Sequence, residues 1–209
     1  MTTGDRPHLS REAIAATALR LTDQDGLAGL SMRKLGAELG VEAMSLYHYV
    51  DSKDDLLDAV LDLLYAEVDL PRDLPDSEWE KAVRLGLGSF HQVLIDHQAA
   101  LVLFATRPVM SAAALDVVYW SYRRFEVMGL APAEAIDAFR FIVSFVMGHT
   151  AQEVGRLDRP EEPDVDYGYL EDDALRTFMG HLQDREESDL FASGLDLVID
   201  GLKARYHLP

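Results

Sequence analysis

The chain contains no cysteine, which excludes a disulfide scaffold, a thiolate zinc site and cysteine nucleophilic catalysis. That absence suits a reducing compartment, and a cytoplasmic location is expected. No stretch reaches the roughly 18 uninterrupted apolar residues of a membrane span, and Met1 to Ser10 lacks the apolar centre of a signal peptide. No membrane partner is expected. A Gly-rich phosphate loop, a Gly-x-Ser-x-Gly elbow and a His-Glu-x-x-His run are also missing. His149 and Glu153 stand one helical turn apart, a spacing that can hold a metal, whereas His91 and His97 point to different sides. No catalytic residue, metal or cofactor is expected, and whether His149 and Glu153 bind a metal stays open.

Positive charge is also scarce: 19 Lys and Arg face 37 Asp and Glu, a net of −18. The deficit is uneven. Residues 1–53 hold six basic against seven acidic residues, a net of −1, and the remaining 156 residues carry −17. Such asymmetry points to two parts with different partners.

Prolines are few, at 7, 71, 75, 108, 132, 160, 163 and 209, and the long runs between them show helical periodicity with almost no strand-like alternation. With 48% apolar residues in 209, the chain can bury a large core. The expected fold class is all-α.

Ile14, Ala18 and Leu21 mark a first helix between Ser10 as N-cap and Gly26 as stop. A second helix is predicted from Ser31 to before Gly40, a third over about Ala43 to Tyr49, and a fourth capped by Ser52. Leu70 to Asp76 reads as a linker or tight turn. Trp79 to Thr106 forms one or two helices broken at Arg107-Pro108, followed by Ala112 to Val127 and a helix from Pro132 to about Glu153. Residues 156–173, with two prolines and eight acids, are predicted to be an exposed, mobile loop before a last helix over roughly Asp189 to Arg205.

In that last helix Leu190, Phe191, Gly194, Leu195, Val198, Ile199 and Leu202 form a broad apolar stripe. Phe141 to Met147 is apolar nearly all round. Two readings stand: a core helix of one large subunit, or a bundle formed by both helices between subunits, with Phe139, Val143 and Met147 of the earlier helix at the interface.

Around Gly40, Leu35, Leu39, Val41, Leu46 and Val50 are spaced to pack two short helices as a helix-turn-helix. Ala43, Met44, Ser45, Tyr47 and His48 are left on the outer part of the second helix, a face without acids that a major groove could accept. The run Gly-Leu-Ser-Met-Arg-Lys-Leu (29–35), Leu-Gly-Val (39–41), Ser-Leu-Tyr-His-Tyr-Val (45–50), Lys53 and Leu56-Leu57 closely resembles the DNA-binding head of the tetracycline-repressor (TetR) family, over about residues 9–65. Ser89-Phe90, His97, Thr106-Arg107-Pro108 and Glu134 to Gly148 are similar to the ligand-binding domain of tetracycline repressors.

The resemblance implies a helix-turn-helix domain over 1–70 and an effector-binding and dimerisation domain over 71–209. It implies a homodimer on a palindromic double-stranded operator, released by a small-molecule effector and acting as a repressor more readily than an activator. Carried onto this chain, Arg33, Ala43, Met44, Ser45 and His48 face bases, while Tyr47 and Lys53 grip phosphates. A magnesium-bound tetracycline is not expected, because Leu103 and Gln152 replace a metal-binding histidine and its acidic partner. Asp69 and Gly86 likewise replace drug contacts. The expected effector is hydrophobic or aromatic, held by Phe90, Phe104, Tyr119, Trp120, Phe141, Phe145 and His149, with Thr106 and Arg107 at the proline-broken helix end. The competing reading is a helical small-molecule-binding or interaction protein that does not bind DNA.

Overall fold

The computed structural model describes residues 9–108, 111–157, 167–169, 171–183 and 190–208, and among them there is no strand. Most of the acidic stretch at 156–173 lies outside the described residues. The helices are α1 (Arg11–Asp25), α2 (Met32–Leu39), α3 (Ala43–Leu46), α4 (Lys53–Ala66), α5 (Trp79–Asp96), α6 (Leu101–Thr106), α7 (Ala112–Val127), α8 (Pro132–Leu157), α9 (Asp173–Gln183) and α10 (Leu190–Tyr206). They fall into two compact units, Met1–Phe139 and Arg140–Pro209.

Side chains set the helix starts as the sequence predicts. The hydroxyls of Ser10, Ser31 and Ser52 accept the backbone N–H groups of Ala13, Lys34 and Asp55 at 3.1, 3.2 and 3.0 Å. Gly26 and Gly40 end α1 and α2 at φ 74° and 68°, a region that costs a side chain energy. Ile14, Leu35, Leu46, Leu56, Val60 and Leu64 are fully buried between these helices. Truncating Ile14 or any one of these leucines to alanine would cost about 2–5 kcal/mol.

The helix α4 serves two sets of neighbours: it packs on α1 in the N-terminal part and on α6 and α7 beyond it. The linker after it is tied down by Ser89, whose hydroxyl accepts the Asp69 N–H at 2.7 Å. In the second unit α8 and α10 approach so closely that a Cβ on Gly194 would stand 2.6 Å from the Phe145 ring. Along α8, Ile142 and Val146 are buried while Phe141 is 60% exposed, so the all-round apolar run has one covered and one open side in the chain.

The helix α9 was not predicted. Its signals are an Asp172 carboxylate that accepts the N–H groups of Ala174 and Leu175 at 2.8 and 3.1 Å, with Leu175 and Phe178 one turn apart.

Candidate nucleic-acid interface and effector site

The turn between α2 and α3 is built on a close backbone approach. A Cβ at Gly36 would lie 2.8 Å from the Val41 carbonyl oxygen, and the Val41 N–H donates to the Gly36 carbonyl at 2.9 Å. Sequence reasoning singled out Gly40 and missed Gly36, whose need for glycine comes from a neighbour five residues on rather than from its own φ. The third helix is shorter than predicted. After Leu46 the chain turns, with Tyr49 N–H bonded to the Leu46 carbonyl at 2.9 Å, and Val50 is carried into the core.

That turn leaves Met44 72% exposed, with Tyr47, His48 and Tyr49 also on the surface; Ala43 and Ser45 are half-buried. Arg33 is exposed and has no ion pair or hydrogen bond among the described residues. The Lys53 ammonium donates to the Leu30 carbonyl at 2.7 Å, tying the start of α4 to the chain before α2. Other cations of this part among the described residues are paired: Arg20 with Glu38 at 2.7 Å and Lys34 with Asp25 at 2.6 Å. Arg11 holds both Asp55 oxygens, at 2.6 and 2.7 Å. The Arg11 hydrogen bond, helped by the Asp51 N–H, lowers the Asp55 pKa to about 2.

Of the residues expected to line an effector pocket, Phe90 and Phe104 meet edge-to-face at 5.3 Å, and Phe104 meets Tyr65 at 5.0 Å. Trp120 is buried against α5, where a Cβ on Gly86 would come within 3.2 Å of its ring, and the Arg124 guanidinium stacks over it at 4.6 Å. A drug-contacting side chain at position 86 would collide with that ring. Tyr119, by contrast, is 62% exposed and stacks on Tyr122 at the surface of α7.

Thr106 is exposed, and its hydroxyl bonds back to the Val102 carbonyl at 2.8 Å. Arg107 turns onto α4. Its Nε donates to Asp58 at 2.5 Å, and its Nη atoms reach the Asp54 carboxylate at 3.3 Å and the Asp54 carbonyl at 2.7 Å. Sequence spacing could not pair residues 49 and 53 positions apart.

In the second unit, Phe145 and His149, expected at the effector, share one aromatic cluster with Phe191, expected at the interface. The Phe145 ring stands 5.9 Å from His149 and 6.1 Å from Phe191. His149 lies 3.6 Å from Glu153. Leu195, Ile199 and Leu202 are buried within the chain, and Phe139, Val143, Met147 and Val198 are half-buried. The most open apolar residue of α10 is Leu197, at 75%, which sequence reasoning did not select.

The pattern described as "Tetracyclin repressor-like, C-terminal domain" matches residues 70–206, and that of "Bacterial regulatory proteins, tetR family" matches residues 14–60. The chain belongs to the TetR family. An HTH-type transcriptional regulator of Saccharopolyspora erythraea is 34% identical over 148 residues, which cover 71% of this chain and 62% of that protein. The chain thus spans less than two thirds of that relative. The class D tetracycline repressor of Escherichia coli is 28% identical over 94% of this chain and 90% of its own length. The TetR-family protein ActR of Streptomyces coelicolor, solved in complex with (S)-DNPA, superposes with a TM-score of 0.80 at 26% identity, over 94% of this chain and 98% of that one. Among the described residues of this TetR-family chain, no helix is long and apolar enough to cross a membrane.

Proposed function

We propose that this TetR-family chain is a ligand-responsive transcriptional repressor, which binds a palindromic operator as a homodimer and is released by a small hydrophobic or aromatic effector. The observation that carries the reading is the exposed surface of α3 and its turn. Met44, Tyr47 and His48 stand open on a head whose other large apolar side chains are mostly buried, and Arg33 of α2 is exposed with no ion pair among the described residues. An arginine fork can read guanine, and Ala43 or Met44 can touch a thymine methyl, while Ser45 and His48 offer polar contacts. Tyr47 and Lys53 fix register on phosphate.

The domain over 71–209 takes the effector and the second subunit. The buried Trp120 Nε1 and Arg124 Nε lack an acceptor among the described residues, which supports a molecule with an aromatic body and an acceptor oxygen near Phe90, Phe104 and Trp120. Exposed Phe141 and Leu197, flanked by Phe139, Val143, Met147, Phe191 and Val198, support a partner helix pair from a second copy. The cytoplasm is the compartment such a repressor works in.

Signal passes through the end of α6. Arg107 already holds α4, so an effector that shifts Thr106 or Arg107 moves the helix that leads to the head. Selection of bound duplexes from a random DNA pool tests the reading. A palindromic consensus bound by one dimer is the expected result, and no enrichment at low salt would leave the interaction-protein reading. With that operator in hand, (S)-DNPA, found in complex with ActR, is a first probe for release. Arg107→Ala is expected to bind operator but to resist release.

A further inference from the structure

We propose that the corner where α1, α4 and α5 meet is a proton-operated clamp, in which doubly protonated His97 bridges Asp23 and Glu67 and loss of one proton frees the C-terminal end of α4. The ring is presented from a fixed helix end. His97 closes α5, its N–H donates to the Val93 carbonyl at 3.0 Å, and its own carbonyl accepts the Ala100 N–H at 2.9 Å. From there Nδ1 stands 2.9 Å from Asp23 Oδ2 on α1, and Nε2 stands 2.9 Å from Glu67 Oε2 just beyond α4.

Ionised carboxylates only accept, so each contact needs an N–H on the ring. Neutral imidazole has one N–H and must give up one of the two partners; imidazolium keeps both. Burial opposes the charge, but the hydrogen bonds that the ring donates to Glu67 and Asp23, with the attraction of both carboxylates, outweigh it and raise the His97 pKa.

Nearby charged groups are otherwise engaged. Arg20 of α1, which lines the same cleft of about 440 Å³, is held by Glu38 at 2.7 Å. Asp96 on α5 takes the Gln92 amide at 2.8 Å, and the turn Gln98–Ala100 has no titratable side chain.

The two ends of α4 are therefore held differently. Arg107 grips Asp54 and Asp58 near its start with a charge that does not titrate below about pH 12. His97 grips its far end with a charge that does. A raised folded pKa gives stabilisation that is complete below the ordinary histidine value of about 6.5 and is lost as pH rises through the folded value. Because the one remaining N–H exchanges between the two ring nitrogens, alkaline conditions leave each of Glu67 and Asp23 unheld part of the time while the Arg107 end stays fixed.

Amide hydrogen exchange of the full chain at about pH 6 and pH 8.5, corrected for intrinsic rates, tests this. In the wild type, peptides covering the Asp23 end of α1 and the Glu67 end of α4 should open about fivefold more at the higher pH. Peptides around Asp54 and Asp58 should not change. His97→Gln should show the open level at both pH values; a wild-type pH response in that variant would overturn the clamp. If His97→Gln does not fold, Glu67→Gln provides the check. Loss of one carboxylate should lower the His97 titration midpoint seen in imidazole NMR shifts, and an unchanged midpoint would overturn the bridge.

Discussion

At Gly36 one hydrogen atom decides whether the helix-turn-helix can close. Alanine there places a methyl 2.8 Å from a backbone carbonyl and 3.1 Å from the Ala43 nitrogen, and neither atom can rotate away. Gly36→Ala is expected to cost about 1–3 kcal/mol in urea unfolding and to abolish operator binding while the chain remains folded. Asp55 acts through charge. Its pKa falls from the ordinary 3.8 to about 2 because it accepts Arg11, so its contribution is present above pH 3.8 and is lost as pH falls through about 2. The melting temperature of wild type should therefore exceed that of Asp55→Asn by a constant margin near neutrality, and the two curves should converge between about pH 4 and 2. Arg33 is exposed and has no ion pair among the described residues, so Arg33→Ala should leave stability unchanged. It should weaken binding at one position of each half-site by about 1–3 kcal/mol; equal weakening on every sequence would make it a phosphate contact.

Elements that rest on local chemistry were legible before the structure. Serine caps, stop glycines and the 3.6-residue period place α1, α2, α7 and α10 within a residue or two, and the start of α4. What stayed hidden depends on distance or on competing signals. The helix α3 stops at Leu46 because burial of Val50 pulls the chain into a turn, a tertiary demand that periodicity does not carry. The run of acids before Asp173 masked the start of α9, whose cap is itself one of those acids. His97 with Asp23 and Arg107 with Asp58 join residues 74 and 49 apart, so no spacing rule could pair them. Gly194 was legible as part of a stripe, but its contact with Phe145 was not. Because a Cβ there would stand 2.6 Å from the ring, Gly194→Ala should push α10 off α8 and lower the melting temperature. A second substitution, Phe145→Leu, should recover part of that loss by making room.

Across the whole molecule, charge divides the labour between head and body. Residues 54–209 carry −17 and repel phosphate, so operator binding by the proposed repressor must be carried by the first 53 residues, which have few cations to spare. Arg11, Arg20 and Lys34 each already hold a carboxylate. When such a pair opens to reach DNA, the phosphate replaces a carboxylate, and the freed acid attracts cations from solution. Net counterion release per contact is then smaller than for a free lysine or arginine. Arg33 and Lys53 are the cations of the head that no carboxylate holds among the described residues. Counting them with partial contributions from the paired ones gives about six phosphates or fewer for a dimer, and a fourfold rise in salt should cost no more than roughly 10³ in affinity. Titration of the selected operator at about 50 and 200 mM salt measures this directly. A loss beyond about 10⁵ would mean that the ion pairs open without cost and that the acidic body does not shape the interaction. Glu38→Gln and Asp25→Asn, which free Arg20 and Lys34, should steepen the salt dependence and strengthen binding to unrelated DNA, because a cation released from its carboxylate engages phosphate of any sequence.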